Sequence, residues 1–442
     1  MIQSVPPPTG DYRAPSWRAL TAVVVIALGL RLAAIALPNF EDLMDAGHIH
    51  AWEQGNVAEA LLAGRGFGSA LMSKQPSAIM PPVYPLIVAV CFHLFGVHTA
   101  ASIFAVHAFD CLTNALACIP IFLMARRSFG ERAGWWAAWG WAFFPYGIYF
   151  AAAWAWSTHL LLLCICWLLV LAQRMEQSSR LDLWAGFGLL AGFAGLTEPS
   201  VMLVIPFLLA LACRRLALAG GRWLVPGVVA SLTLAAAISP WLIRDALVFH
   251  RFIPLRDSMG LELWMGNNGY DLRWTSDHRH PLHDAEELAD YNAMGELAYM
   301  DHKMEQAEAY IHDHPAWFAW MCARRAIYVW TGFWSFNRNY LAVEPADPAN
   351  IPFASTVTLL CLFGLLAARR QQPFEAIRYA GVLFLFPIMY YFTHPEPYHL
   401  RPLDPVMVML GCHAILAWRE RARAAAAVPA TLRTAEELAP GD

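Results

Sequence analysis

Apolar residues in this chain come in long unbroken runs, not in the spaced stripe of a soluble amphipathic helix. Ten runs, at 17–37, 99–125, 133–150, 155–173, 182–196, 200–213, 223–243, 351–368, 377–393 and 402–418, read as candidate membrane-spanning helices. Crossing a hydrocarbon core of about 30 Å takes roughly twenty apolar residues as a helix. An eleventh run, Pro81–Phe95, falls short of that length. Its side of the membrane follows from the arginines. If Pro81–Phe95 lies flat on the outer surface, the clusters Arg126, Arg127 and Arg132, Arg174 and Arg180, Arg214, Arg215 and Arg222, Arg369 and Arg370, and Arg419, Arg421 and Arg423 all fall on one side. The positive-inside rule makes that side cytoplasmic. The count of ten spans holds to within two, because 182–196 and 200–213 leave room for a tilted or re-entrant pair around Thr197–Ser200.

This pattern predicts an all-α polytopic membrane protein with both termini cytoplasmic. Residues 1–243 form an N-terminal transmembrane module carrying a first outer loop at 38–98. Residues 244–350 form a second, mostly helical outer loop, 351–419 the C-terminal spans, and 420–442 a cytoplasmic tail expected to be disordered. In the second loop Leu288, Tyr291, Met294, Leu297, Met300, Met304, Ala307 and Ile311 recur at steps of three or four, which predicts one amphipathic helix on the membrane face or on the bundle. In the first loop the stretch WEQGNVAEALLAGRGFG predicts a short helix stopped by Gly64 and Gly66. On its wheel Val57, Ala58, Leu61 and Leu62 share one arc. Glu53 lies about 40° from Val57, at the edge of that face. A helix lying in the interface therefore holds the Glu53 carboxylate at headgroup depth. Pro81, Pro82 and Pro85 then open a second flat helix.

Composition agrees and excludes some classes. The 442 residues are 58% hydrophobic and only 14% charged, with a mean hydropathy of +0.42. Nineteen tryptophans suit two lipid–water interfaces. No basic stripe or nucleic-acid module is present. The nine cysteines sit mostly in apolar runs without metal-type spacing, so they read as small core residues and not as a disulfide framework. Residues 1–16 are polar and Pro-rich and the run after them is long enough to remain as a span, so no cleaved signal peptide is expected.

Some polar groups have competing readings. His107, Asp110 and Asn114 share a stripe of the second span and read equally as a functional set or a hydrogen-bonded structural cluster. Glu198, between two short spans, is a candidate to face an outer cavity. The run His278-Arg279-His280-Pro281-Leu282-His283 has histidines for a zinc site but no partner spacing, and reads more simply as a polar loop.

Several stretches carry a family resemblance. They are Arg31; Glu53-x-Gly55-x-x-Ala58-x-x-Leu61-Leu62-x-Gly64-x-Gly66-Phe67; Pro82-Val83-Tyr84-Pro85 through Phe95-Gly96; and Ala125-Arg126-Arg127-Ser128-Phe129-Gly130. Further on come Pro240-Trp241-Leu242-Ile243-Arg244, Gly260-Leu261-Glu262-Leu263-Trp264-Met265-Gly266-Asn267-Asn268, and Tyr398-His399-Leu400-Arg401-Pro402-Leu403-Asp404-Pro405. In order and spacing these resemble bacterial membrane glycosyltransferases of the GT-C fold, family 39-like, related to protein O-mannosyltransferases and lipid A aminoarabinose transferases. The resemblance implies a bundle with interface-parallel helices in the first outer loop and a catalytic carboxylate there. It implies a polyprenyl-phosphate sugar donor, a lipid, glycan or protein acceptor, inversion at the anomeric carbon, and a bacterial inner membrane with the site facing outward. Many such enzymes carry an Asp-Glu pair where this chain has His50 and Ala51. Glu53 is therefore the first candidate for the catalytic base and Asp45 the second. Candidates for the donor phosphate and sugar are Lys74, Tyr84, Arg244, Asn267, Asn268, His399 and Arg401. Arg244 and Arg401 read equally as snorkelling to lipid headgroups, and the two asparagines as turn formers. No resident cofactor is implied, and a divalent metal is left open. A lipid-linked-sugar transporter, or a non-catalytic protein of this fold that binds such a donor, is the alternative.

Overall fold

The computed structural model describes residues 16–36, 52–68, 70–71, 74–269, 279–334, 336, 338, 341, 347–394 and 399–437, with side chains from 426 onward left aside. Asp45, His50, Ala51 and His278 lie outside the described residues. The chain is a multi-pass helical bundle. In order the helices are α1 (Trp17–Ile35), α2 (Glu53–Leu62), α3 (Val83–Phe95), α4 (Ala100–Leu116), α5 (Cys118–Phe129), α6 (Glu131–Ala142), α7 (Pro145–Ala153), α8 (Thr158–Met175), α9 (Leu181–Gly195) and α10 (Ile205–Leu218). Then follow α11 (Leu224–Phe249), α12 (Met259–Gly266), α13 (Ala285–Met294), α14 (Glu296–Asp313), α15 (Pro315–Thr331), α16 (Asp347–Gln371), α17 (Pro373–Leu385), α18 (Ile388–Phe392) and α19 (Asp404–Glu437). Among the described residues there is no strand, only an isolated bridge between Gly68 and Pro76.

Each of the ten expected spans falls on helix, and six helical stretches are long and apolar enough to cross a bilayer: 17–35, 100–129, 158–175, 199–218, 224–249 and 348–371. The others differ for local reasons. Run 133–150 divides into α6 and α7 because Pro145 at the first turn of α7 restarts the helix. Run 377–393 divides at Pro387, the N-cap of α18. Run 182–196 becomes α9, only 15 residues long. Pro81–Phe95 is the short helix α3.

A buried arginine knits the bundle near its start. Arg31 on α1 donates to Asn114 Oδ1 (2.7 Å) and to the carbonyls of Ala27, Ala142 and Trp141 (2.9, 3.1 and 3.1 Å). Asn114 also meets His159 at 3.0 Å, and Tyr84 donates to Asp110 at 2.6 Å. Asp110 and Asn114 of the polar stripe are thus hydrogen-bonded into the core, whereas His107 is buried with no hydrogen bond at its Nδ1 among the described residues. At the bundle end that carries the arginine clusters, Arg378 pairs with both Glu375 and Glu176, and Arg215 meets Glu176 at 3.4 Å.

The second loop does not form the single amphipathic helix that its periodicity predicts. Gly295, at φ 82°, breaks it into α13 and α14. The two helices pack onto the first loop and α12: Tyr291, Tyr299, Met300 and Ala307 share a core with Val57, Leu71, Ile79, Met80 and Trp264. Backbone approach sets this docking. A Cβ added at Gly260 would stand 2.0 Å from Met300 O, and one at Gly266 2.3 Å from Thr393 O. Gly260→Ala is therefore expected to lower stability by about 1–3 kcal/mol through overpacking. Thermal unfolding of the purified protein checks this against Gly29→Ala, whose new methyl group would meet nothing within 4 Å.

Candidate active site

The N-terminus of α2 is pinned by its own sequence. Trp52, the N-cap residue, lies over Gly55, where a Cβ would come within 2.6 Å of the indole. The helix is held on two sides. Val57 joins the core with α12–α14, whereas Ala58 joins a second cluster with Tyr84, Val88 and Phe92. This corrects the one-sided wheel: Gln54 and Ala60 are buried, whereas Leu62 is 40% exposed. Glu53, in the first turn, is thereby drawn under the second loop and left with a side-chain exposure of 15%.

What surrounds Glu53 arrives from four other segments. His280 Nε2 stands 3.7 Å from Glu53 Oε1. Arg256 Nη2 meets Glu262 Oε1 at 2.8 Å, and its Nη1 lies 3.8 Å from Glu198 Oε1. His394 Nδ1 approaches Glu262 Oε2 at 3.4 Å. His399 stacks on Tyr390 with ring centres 4.2 Å apart and lies 6.0 Å from His394. Tyr390 OH bonds Ser200 Oγ at 3.2 Å. The whole group sits at the bundle end away from the arginine clusters. Glu198 follows α9, which starts beside Arg180, and Arg256 follows α11, which starts beside Arg222.

The segment bearing Arg256 is fixed by a strained turn. Leu255 holds a left-handed φ of 75°, uncommon for a non-glycine residue. Its N–H donates to Ile253 O across Pro254 (2.9 Å), and its carbonyl accepts from Trp241 Nε1 (2.9 Å). Asp257 N then bonds Ala78 O at 3.0 Å. Arg256 is thus aimed by Trp241 on one side and by the first loop on the other.

Electrostatics follow from this enclosure. Burial pushes the Glu53 carboxyl up to about 7, with Arg256 pulling it down and Glu262 pushing it further up. Burial likewise raises Glu198, which Arg256 partly offsets. Burial works against the charge on Arg256, but Glu262 and Glu198 keep it cationic. His280 is pushed down to about 3 by burial and the neighbouring charge, and His399 well below its usual value, so both rings are neutral at pH 7. Among the described residues the result is one guanidinium among three carboxyls, of which Glu53 is pushed up to about 7.

Of the candidates named from sequence, Glu53 and His399 come together here, joined by Glu198. The others stand elsewhere. Arg244 donates to Phe67 O (2.6 Å) and Ser77 O (3.0 Å) and pairs with Asp245 (2.7 Å), tying the first loop to α11. Arg401 pairs with Asp404 (3.2 Å) and lies over the Tyr146 ring, on a small cavity also lined by Trp330 and Thr358. Tyr84 is buried on Asp110. Asn267 bridges Leu263 O and Phe392 O, both at 2.8 Å, and accepts from Arg325. Asn268 is half-buried after α12, and Lys74 is exposed. Sequence reasoning passed over Arg256 and His394, and took His280 only as part of a polar loop. The one available signal was Trp241 in the Pro-Trp stretch, which fixes the turn before Arg256. Among the described residues, no group of three or more His, Cys, Asp or Glu side chains is placed to hold a metal ion.

Residues 79–243 match the family model described as dolichyl-phosphate-mannose-protein mannosyltransferase. The oligosaccharyltransferase of Archaeoglobus fulgidus in its apo form superposes with a TM-score of 0.52 at 13% identity, covering 91% of this chain and 51% of that one. This chain has the GT-C fold. The complex of the same oligosaccharyltransferase with Zn and sulfate gives 0.50 at 12% identity, over 93% and 51%. ArnT from Cupriavidus metallidurans bound to undecaprenyl phosphate gives 0.37 at 14% identity, over 91% and 78%. The chain spans about half the length of the oligosaccharyltransferase it matches. No curated protein matches the sequence. The matched stretch contains Glu198 but ends before Arg256 and begins after Glu53.

Proposed function

We propose that this chain is an inverting glycosyltransferase that moves a sugar from a polyprenyl-phosphate-linked donor to an acceptor hydroxyl at the outer face of a bacterial cytoplasmic membrane. The observation that carries this reading is Glu53: an enclosed carboxyl, raised to about 7, sharing its surroundings with Arg256. A general base works best with a pKa near the operating pH. In the proposed step the acceptor oxygen attacks the anomeric carbon as its proton passes to Glu53. The bond from that carbon to the phosphate oxygen breaks, and the electron pair leaves with the lipid phosphate. Arg256 meets the growing charge on that oxygen. Holding both reactants in one cleft contributes further. The description of the matched family supports a polyprenyl-phosphate donor. The position of the cluster at the end opposite the arginines supports the outer face.

The test is a panel of radiolabelled undecaprenyl-phosphate hexoses and pentoses, incubated with the purified protein in proteoliposomes and a cell-envelope extract as acceptor. At least one donor is expected to lose its sugar to the extract, with inverted anomeric configuration in the product. Binding of donors with no transfer from any of them would favour a carrier over an enzyme.

A further inference from the structure

We propose that His280 is a positioning residue that holds one oxygen of Glu53 through its Nε2–H, leaving the other oxygen to face the acceptor hydroxyl. This rests on Glu53 being the base. The ring is fixed by its own turn. Leu282 N–H donates to His280 Nδ1 at 3.3 Å, which makes Nδ1 the acceptor. In the neutral ring the proton is therefore on Nε2, the atom 3.7 Å from Glu53 Oε1. The backbone is held as firmly: His280 O accepts from His283 N (2.7 Å) and Asp284 N (2.9 Å). Pro281 stiffens the same turn by fixing its φ. Asp284 next caps α13 by accepting from Glu286 N at 2.9 Å. A short polar run thus becomes a rigid bracket for one imidazole, whose Nε2–H dipole acts on Glu53 Oε1 across 3.7 Å in the protein without substrate.

The groups around the pair set its charge state. Against its burial, the backbone N–H of Glu53 itself and Arg256 favour the charged carboxylate, and Glu262 opposes it. His283, His394 and Arg256 all oppose a positive charge on His280, which burial already disfavours. The imidazole is therefore a neutral donor and not a counter-ion. A donor to the charged form of a carboxyl lowers its pKa, so removing it raises that pKa.

The test needs no substrate. Infrared difference titration of the full-length protein in nanodiscs reads the protonated carboxyl stretch, and the component lost in Glu53→Gln belongs to Glu53. His280→Leu is expected to move the midpoint of that component up by about one pH unit. His280→Gln, which keeps an N–H near the Nε2 position, is expected to return it most of the way. A midpoint unmoved by His280→Leu, or a glutamine variant that tracks leucine while both melt like the parent, overturns the proposal. In the transfer assay His280→Leu is expected to lower kcat about tenfold with the donor KM kept. Transfer that survives Glu53→Gln would sink the base assignment, while the infrared midpoints still decide whether His280 orients Glu53.

Discussion

Glu53→Gln is expected to lower the transfer rate by about 10²–10⁴-fold, the usual contribution of a positioned general base. The substitution keeps the shape of the side chain, so donor binding and the thermal midpoint are expected to hold. The pH profile sharpens the test. The reactive form is the carboxylate, and burial has lifted this group to about 7. Activity of the parent enzyme should therefore climb as pH rises through about 7 and level off above it. In the glutamine variant the residual rate should lose that climb. A variant that keeps both the rate and the slope would remove Glu53 from the chemistry.

Arg256→Gln carries the second large effect. Losing a preorganised donor to a developing oxyanion costs about 10²–10³ in rate. Here the loss also strips Glu198 and Glu262 of their counter-charge. The expected result is a fall of about that size in kcat, a weaker donor KM, and partial recovery on adding guanidinium. Arg244→Gln provides the contrast. Its guanidinium holds Phe67 O and Ser77 O, so the thermal midpoint should fall more than the rate constant per folded molecule. Measuring kcat, KM and unfolding for both variants separates the two arginines. Equal losses in both would place Arg256 in the scaffold.

The helices were legible because long apolar runs report burial in lipid or core whatever their neighbours. The short helix carrying Glu53 was legible too, since its glycine stops and apolar spacing are local signals. What the wheel could not supply was the second buried side of α2, since Ala58 packs with Tyr84, Val88 and Phe92 from a separate segment. The glycine between Met294 and Glu296 leaves the apolar repeat intact on paper while turning the chain through a positive φ. Of the residues gathered in the candidate cluster, the sequence had offered Glu53, His399 and Glu198. Arg244 was named as a phosphate ligand because it ends a span, and in the fold its guanidinium also holds two loop carbonyls and Asp245. Arg256 had no motif of its own, since a tryptophan on the preceding helix and a carbonyl of the first loop fix its place.

One guanidinium among three acidic side chains has a consequence for turnover. An incoming phosphodiester makes the neighbourhood more negative, and like charges favour proton uptake. In the proposed reaction the acceptor's proton would therefore be retained while a still more anionic lipid phosphate stands beside it. Departure of that spent carrier and return of Glu53 to its ionised state become linked events, so alkaline medium should speed product escape as well as bond formation.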